Sequence, residues 1–244
     1  MTSATTKPQL GAQQRRESAE LPLQNGDHLS RDEFERRYAL MPPHIKAELL
    51  EGVVYMPPPV FEEHHGTPHF DVVGWLSMYR GATPGVIGGD NTSFRFYTNS
   101  DPQPDAHLRI SEVYGGQSRR GKDKYVEGGP EFIVEVAASS VSYDLHVKLN
   151  IYRRNNVREY VVWRSYDQQV DWFILRGDEY DRLLPGSDSI YRSEIFPGLW
   201  LDPTALVRGD FAAVQLIAAR GLATPEHAAF VANLDAIAKS QPKA

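Results

Sequence analysis

The stretch from Gly128 to Tyr152 constrains what this chain can fold into more than any other. Gly129-Pro130 punctuates the start of an element, which continues as Glu131-Phe132-Ile133-Val134-Glu135-Val136-Ala137. Branched and aromatic apolar residues in so short a run predict a strand buried on both faces. Side-chain alternation puts Glu131 and Glu135 on one face of it. A carboxylate inside such a strand is costly unless it is paired or bound to a cation. After a bend of small residues comes Tyr143-Asp144-Leu145-His146-Val147-Lys148-Leu149-Asn150-Ile151-Tyr152. Leu145, Leu149 and Tyr152 recur at helical spacing and predict a helix packed on the sheet, with Ser140 or Ser142 as its cap. Asp144, Lys148 and Tyr152, each four apart, form one stripe along that helix.

Around this unit the chain reads as α/β, a mixed sheet with helices on its faces. Ser30-Arg31-Asp32-Glu33 fits a capping box, starting a helix that carries Phe34, Tyr38 and Leu40. Ala47 to Met56 predicts a hairpin turning at Glu51-Gly52 and stopped by Pro57-Pro58-Pro59. Pro68 to Arg80 predicts a helix with Phe70, Val73, Leu76 and Tyr79 as its buried stripe. Strands are expected at Gly85 to Ile87, Thr92 to Tyr97, Ala106 to Ile110, Arg158 to Arg164 and Gln169 to Leu175. A further hairpin is expected from Glu179 to Leu184 and Ser189 to Ile195. Residues 1–28 carry little large apolar surface and are expected to be a disordered tail. Asp210 to Lys239 is Ala-rich and predicts two helices split at Gly221 to Pro225, an appendage to the main domain.

Composition excludes several classes of function. The 244 residues are 41% hydrophobic and 24% charged, ordinary for a soluble globular protein. With no cysteine there is neither a disulfide nor a thiolate metal site, which fits a reducing, cytoplasmic setting. No stretch is apolar enough to span a membrane, and no signal peptide is read at the N-terminus. A formal net charge of -6 does not advertise nucleic-acid binding, so a DNA partner requires a local basic patch. The loop holding Arg119, Arg120, Lys122 and Lys124 is the candidate for phosphate contact. Arg153 and Arg154 add to it.

Two acidic residues stand out by position. Asp105 follows the loop Asn99-Ser100-Asp101-Pro102-Gln103-Pro104 at the mouth of a strand, and Glu135 lies within another. Carboxylates on neighbouring strands make an oxygen site suited to Mg²⁺ or Mn²⁺. Such an ion polarises a phosphoryl oxygen and acidifies water. Lys148, one helix later, is placed to orient that water or to offset charge on the phosphate. The simpler alternatives are an exposed Asp144–Lys148 pair, a turn role for Asp105 and an exposed hairpin position for Glu48. His64, His65 and His69 suggest a metal site, but Gly66 stands where the zinc-protease motif needs Glu, and Thr67-Pro68 interrupts the helical spacing of His65 and His69.

Pro104-Asp105, Glu135-Val136 and the Asp144, Lys148, Tyr152 ladder resemble the PD-(D/E)xK nuclease superfamily, and more narrowly the Uma-type family of restriction endonucleases. Glu48-Leu49-Leu50-Glu51-Gly52 resembles that family's Glu-Leu-Ile-Asp-Gly opening. Met56-Pro57-Pro58-Pro59 with His65 resembles its proline segment, and Asn156-Val157-Arg158-Glu159-Tyr160 its Gly-Val-x-Glu-Tyr strand. The resemblance runs from about Glu48 to Asp202. It implies a restriction-endonuclease-like domain over residues 29–208 with a C-terminal helical extension over 209–244. It implies a Mg²⁺-dependent endonuclease acting on DNA, with Asp105 and Glu135 as metal ligands and Lys148 and Glu48 as further catalytic groups; double-strand cleavage by one active site per chain would favour a two-fold homodimer. Ala137 stands where the superfamily has its lysine, so the resemblance implies that the lysine has moved to Lys148. Ala137-Ala138-Ser139-Ser140 also replaces the family's Leu-Ser-Pro-Ser. That departure supports an alternative reading: a catalytically weak or inactive nuclease-fold module for binding or assembly.

Overall fold

Ser30 accepts the backbone N–H of Glu33 and starts helix α1 (Arg31–Tyr38), as its sequence dictates. A computed structural model describes residues 21–123 and 125–241; the expectations for residues 1–20 and for Lys124 fall outside them. The hairpin follows as β1 (Glu48–Leu50) and β2 (Val53–Tyr55). A wide π-helical turn, Glu62–Gly66, runs directly into α2 (Thr67–Ala82). Next come β3 (Val86–Asp90), β4 (Phe94–Arg95), β5 (Ala106–Ile110), β6 (Arg119–Arg120), β7 (Val126–Glu127) and β8 (Phe132–Ala137). A second π-helical segment, Tyr143–Lys148, continues as α3 (Leu149–Arg154). The chain goes on through β9 (Glu159–Arg164), β10 (Gln169–Arg176), β11 (Glu179–Arg182), β12 (Tyr191–Arg192) and β13 (Trp200–Leu201). It ends in α4 (Pro203–Val207), α5 (Phe211–Leu222) and α6 (Pro225–Ser240).

The main sheet is mixed and six-stranded, in the order β11-β10-β9-β8-β5-β3. The strand of Glu135 is therefore internal, antiparallel to β5 and parallel to β9. The parallel pair requires a crossover, and α3 supplies it. Residues of β8 alternate between two cores. Phe132, Val134 and Val136 pack with Val72, Trp75, Leu76 and Tyr79 of α2. Ile133 and Ala137 pack with Ile151 and Tyr152 of α3. Glu135 belongs by alternation to the α3 face. Ala106 pairs with Val134, and one further step of that register sets Asp105 opposite Glu135.

Several expectations need correction. Phe70 is exposed, and the buried stripe of α2 is Val72, Trp75, Leu76 and Tyr79. β11 pairs with β10 and β12 with β13, so the expected hairpin between 179–184 and 189–195 does not form. Residues 23–28 are not a loose tail: Leu23 is buried beside Phe34 and Leu49, and Gly26 and Asp27 hydrogen-bond with Val54. Nor are the last helices an appendage. Val214, Ala218 and Leu234 belong to the same core as the sheet.

Candidate functional site

Glu135 is 4% exposed and its carboxylate is fully engaged. Oε1 accepts the Tyr152 hydroxyl at 2.6 Å and the Lys148 ammonium at 3.0 Å. Oε2 accepts the backbone N–H of Asp105 at 3.3 Å. In return, Asp105 Oδ2 accepts the Val136 N–H at 2.7 Å, so the two acids are stitched across neighbouring strands. Lys148 Nζ lies 3.2 Å from Glu48 Oε2 and 3.8 Å from Asp144 Oδ1. Glu48 is fixed by the Gln103 N–H at 2.6 Å, and Asp144 by the Ser140 hydroxyl at 2.6 Å. The structure thus gathers Glu48, Asp105, Glu135, Asp144 and Lys148, contributed by the hairpin, the residue before β5, β8 and the wide turn that leads into α3.

The local sequence explains this convergence. The wide turn of Tyr143–Lys148 keeps both Asp144 and Lys148 on the sheet-facing side, where they are buried rather than in water. The exposed-pair reading of these two is thereby excluded. Glu48 is likewise buried, because the β1–β2 hairpin folds against the segment that carries Asp101 and Gln103. Lys148 reaches Glu135 although Ala137 occupies the usual lysine position, since α3 crosses directly over β8.

Electrostatics follow from four carboxylates around one ammonium. Burial alone would depress the Lys148 pKa, but attraction to Glu135, Glu48, Asp144 and Asp105 outweighs it and holds the amine well above its ordinary value. Burial pushes Glu135 well up, only partly offset by Lys148 and reinforced by Asp105, Asp144 and Glu48. Burial also lifts Asp144 to about 6 against the pull of Lys148 and Ser140. Asp105 goes the other way, down. Its burial is outweighed by the hydrogen bond and charge of His65 and by the Val136 N–H.

His65 and His69 are what sequence reasoning undervalued. His65 Nε2 lies 3.3 Å from Asp105 Oδ1, and His69 Nε2 lies 2.9 Å from the Asp105 carbonyl oxygen. A carbonyl only accepts, so His69 carries its proton on Nε2. The helical spacing of the pair was the available signal. Pro68 does not break it: the wide turn Glu62–Gly66 runs into α2 with the proline in that helix's first turn.

The cluster forms the floor of a cavity of about 580 Å³ whose walls include Met56 to Phe61, His64 and Tyr166. Arg119, Arg120 and Lys122 do not line it. They follow the end of β5 opposite Asp105, on an exposed edge where Arg119 pairs with Glu127 at 2.7 Å. No group of three or more His, Cys, Asp or Glu residues forms a ready-made metal cage among the described residues.

The sequence model of the Uma2 family, described as "Putative restriction endonuclease", matches residues 31–204. No curated protein matches the chain. Among solved structures, that of a putative nuclease belonging to DUF820 from Anabaena variabilis aligns with a TM-score of 0.49 at 13% identity, covering 73% of this chain and 99% of that one.

Proposed function

The chain belongs to the Uma2 family of restriction endonucleases, and from that premise we propose that it hydrolyses DNA phosphodiester bonds at the acidic cavity with Mg²⁺ or Mn²⁺ as cofactor. The observation that carries this reading is the buried imbalance of charge, Glu48, Asp105, Glu135 and Asp144 around the lone ammonium of Lys148. One lysine does not neutralise four buried carboxyls, which is why Glu135 and Asp144 hold their protons so tightly, and a small hard cation is the partner that oxygen donors of this kind take in place of those protons. Mg²⁺ keeps several waters and binds through one or two carboxylates plus substrate phosphates, so Asp105 and Glu135 suffice without a three-residue cage. When bound, the ion supplies polarisation of a phosphoryl oxygen and a lowered pKa for water.

The remaining work falls to the chain itself. Asp105, its pKa depressed and its oxygens held by Val136 and His65, stays ionised and fixed in direction. Lys148 stays charged, and Glu48 and Glu135 hold its Nζ where negative charge develops on the phosphate. Glu48 acts as an anchor for that amine, locked by the Gln103 N–H. The deep placement of these groups excludes bulk water and strengthens each contact.

Isosteric variants test the assignment. Asp105→Asn and Glu135→Gln are expected to fold, to lose Mn²⁺ binding in a calorimeter and to lose Mg²⁺-dependent cleavage of single-stranded and plasmid DNA. Undiminished Mn²⁺ binding by both variants would refute the ligand assignment, and undiminished cleavage would remove the mechanism.

A further inference from the structure

Resting on the nuclease reading above, we propose that the apolar wall of the cavity is a stacking platform for an unpaired nucleobase, so that substrate enters as a single or locally opened strand rather than as an intact duplex. Phe61 is 70% exposed, Val60 63% and Tyr166 55%, and all three line the cavity that holds the acids. Large apolar groups left in water on one wall mark a binding surface. Tyr166, from the β9–β10 turn, packs on His64 with ring centroids 4.3 Å apart. Pro57-Pro58-Pro59 restricts the backbone leading to Val60 and Phe61. Aromatic faces of this kind take any base.

Depth provides the second line of argument. Lys148 is 6% exposed, Glu135 4% and Asp144 2%, at the floor of the cavity. The backbone of a stacked duplex presents its phosphates on the outside of a stiff cylinder. A strand whose nucleotide is unstacked can dip a phosphate toward the floor while its base lies on the wall. Enzymes that must draw a nucleotide into a pocket use single strands or extrude the nucleotide from the helix. A cavity of about 580 Å³ is on the scale of pockets that enclose small ligands, ~300–1,000 Å³.

The test is fluorescence anisotropy of a short labelled oligodeoxythymidylate and of a duplex of equal length, in Ca²⁺, with Mg²⁺ cleavage of both followed on gels. Wild type is expected to bind the single strand at least about tenfold more tightly than the duplex. Tyr166→Ala and Phe61→Ala, both at exposed positions, should each weaken single-strand binding roughly five- to hundredfold, the range of one lost stacking contact. Tyr166→Phe should retain it, and Tyr97→Ala, an exposed aromatic outside the cavity, should be neutral. If duplex is bound and cut as well as the single strand, or if removing the rings changes nothing, the stacking platform is refuted while the nuclease reading stands. If neither nucleic acid is bound or cut, both readings fall, and the wall becomes a surface for a protein partner.

Discussion

Lys148 illustrates how burial changes the worth of an ion pair. On an exposed helix, Asp144 and Lys148 at i,i+4 would stabilise by ~0.3–0.5 kcal/mol. Here the ammonium faces three carboxylates away from water. Removing one member of a buried ionic cluster leaves the others uncompensated, at a cost of ~3–5 kcal/mol. Lys148→Met is therefore expected to lower neutral-pH stability by that order and, at a temperature where it is folded, to lower turnover by ~10²–10³. Lys148→Arg keeps the charge in a planar fork and should not fully rescue. A Met variant that melts and cleaves like wild type would sink both expectations. Glu159 offers a second test, remote from the cluster. Burial lifts its pKa to about 7, against the Ser193 hydroxyl and the N–H groups of Glu194 and Ile195. The folded chain thus holds this proton more tightly than the unfolded chain. The resulting stability is fully present below the usual glutamate pKa and is lost as pH rises through about 7. Melting in chelator is expected to show wild type losing stability from pH ~5 to ~8, on the order of 2–3 kcal/mol from this group. Glu159→Gln should flatten that slope; an unchanged slope would show that the carboxyl titrates normally.

At the scale of elements, the two wide helical turns do the positioning. One precedes α2 and brings His65 and His69 to Asp105; the other precedes α3 and brings Asp144 and Lys148 to Glu135. Such turns are uncommon and occur often at functional sites. The docking of α5 depends on a different device. A Cβ at Gly221 would stand 2.3 Å from the Gly198 carbonyl oxygen and 2.8 Å from the Trp200 ring. Backbone cannot move aside as a flexible side chain does, so Gly221→Ala is expected to cost ~1–3 kcal/mol of stability. Denaturant titration measures it, and a midpoint equal to wild type would show that α5 shifts freely.

Among the described residues the main six-stranded sheet has a core on each face, with a smaller third cluster around α1 and the β1–β2 hairpin, and the C-terminal helices complete one of the sheet's cores. Phe230 of α6 packs edge-on against Phe196, and His227 bonds to Thr83 beside Tyr79 of α2. Truncation after Arg208 would uncover Leu206, Phe196 and their neighbours. The expected result is insoluble protein, or a melting temperature lower by more than ~10 °C. A soluble truncated chain melting like wild type would restore the view of these helices as an appendage.

Local sequence determined the elements and the identity of the acids. Periodicity, caps and proline stops are short-range effects, and they placed β8, the crossover helix, the β1–β2 hairpin and the α5–α6 break close to where they lie. A glutamate inside an apolar strand was legible as a buried charge because few partners can tolerate it there. Tertiary structure decided how these parts meet. The antiparallel register of β5 and β8 sets Asp105 against Glu135, and the close fit of the hairpin buries Glu48. His65 and His69 become partners of Asp105 only because α2 packs beside the start of β5. The basic loop, near Asp105 along the chain, leaves from the far end of its strand. Such outcomes depend on contacts between residues tens of positions apart. No local pattern encodes them, because the burial that stabilises each contact exists only once the sheet and both cores have formed.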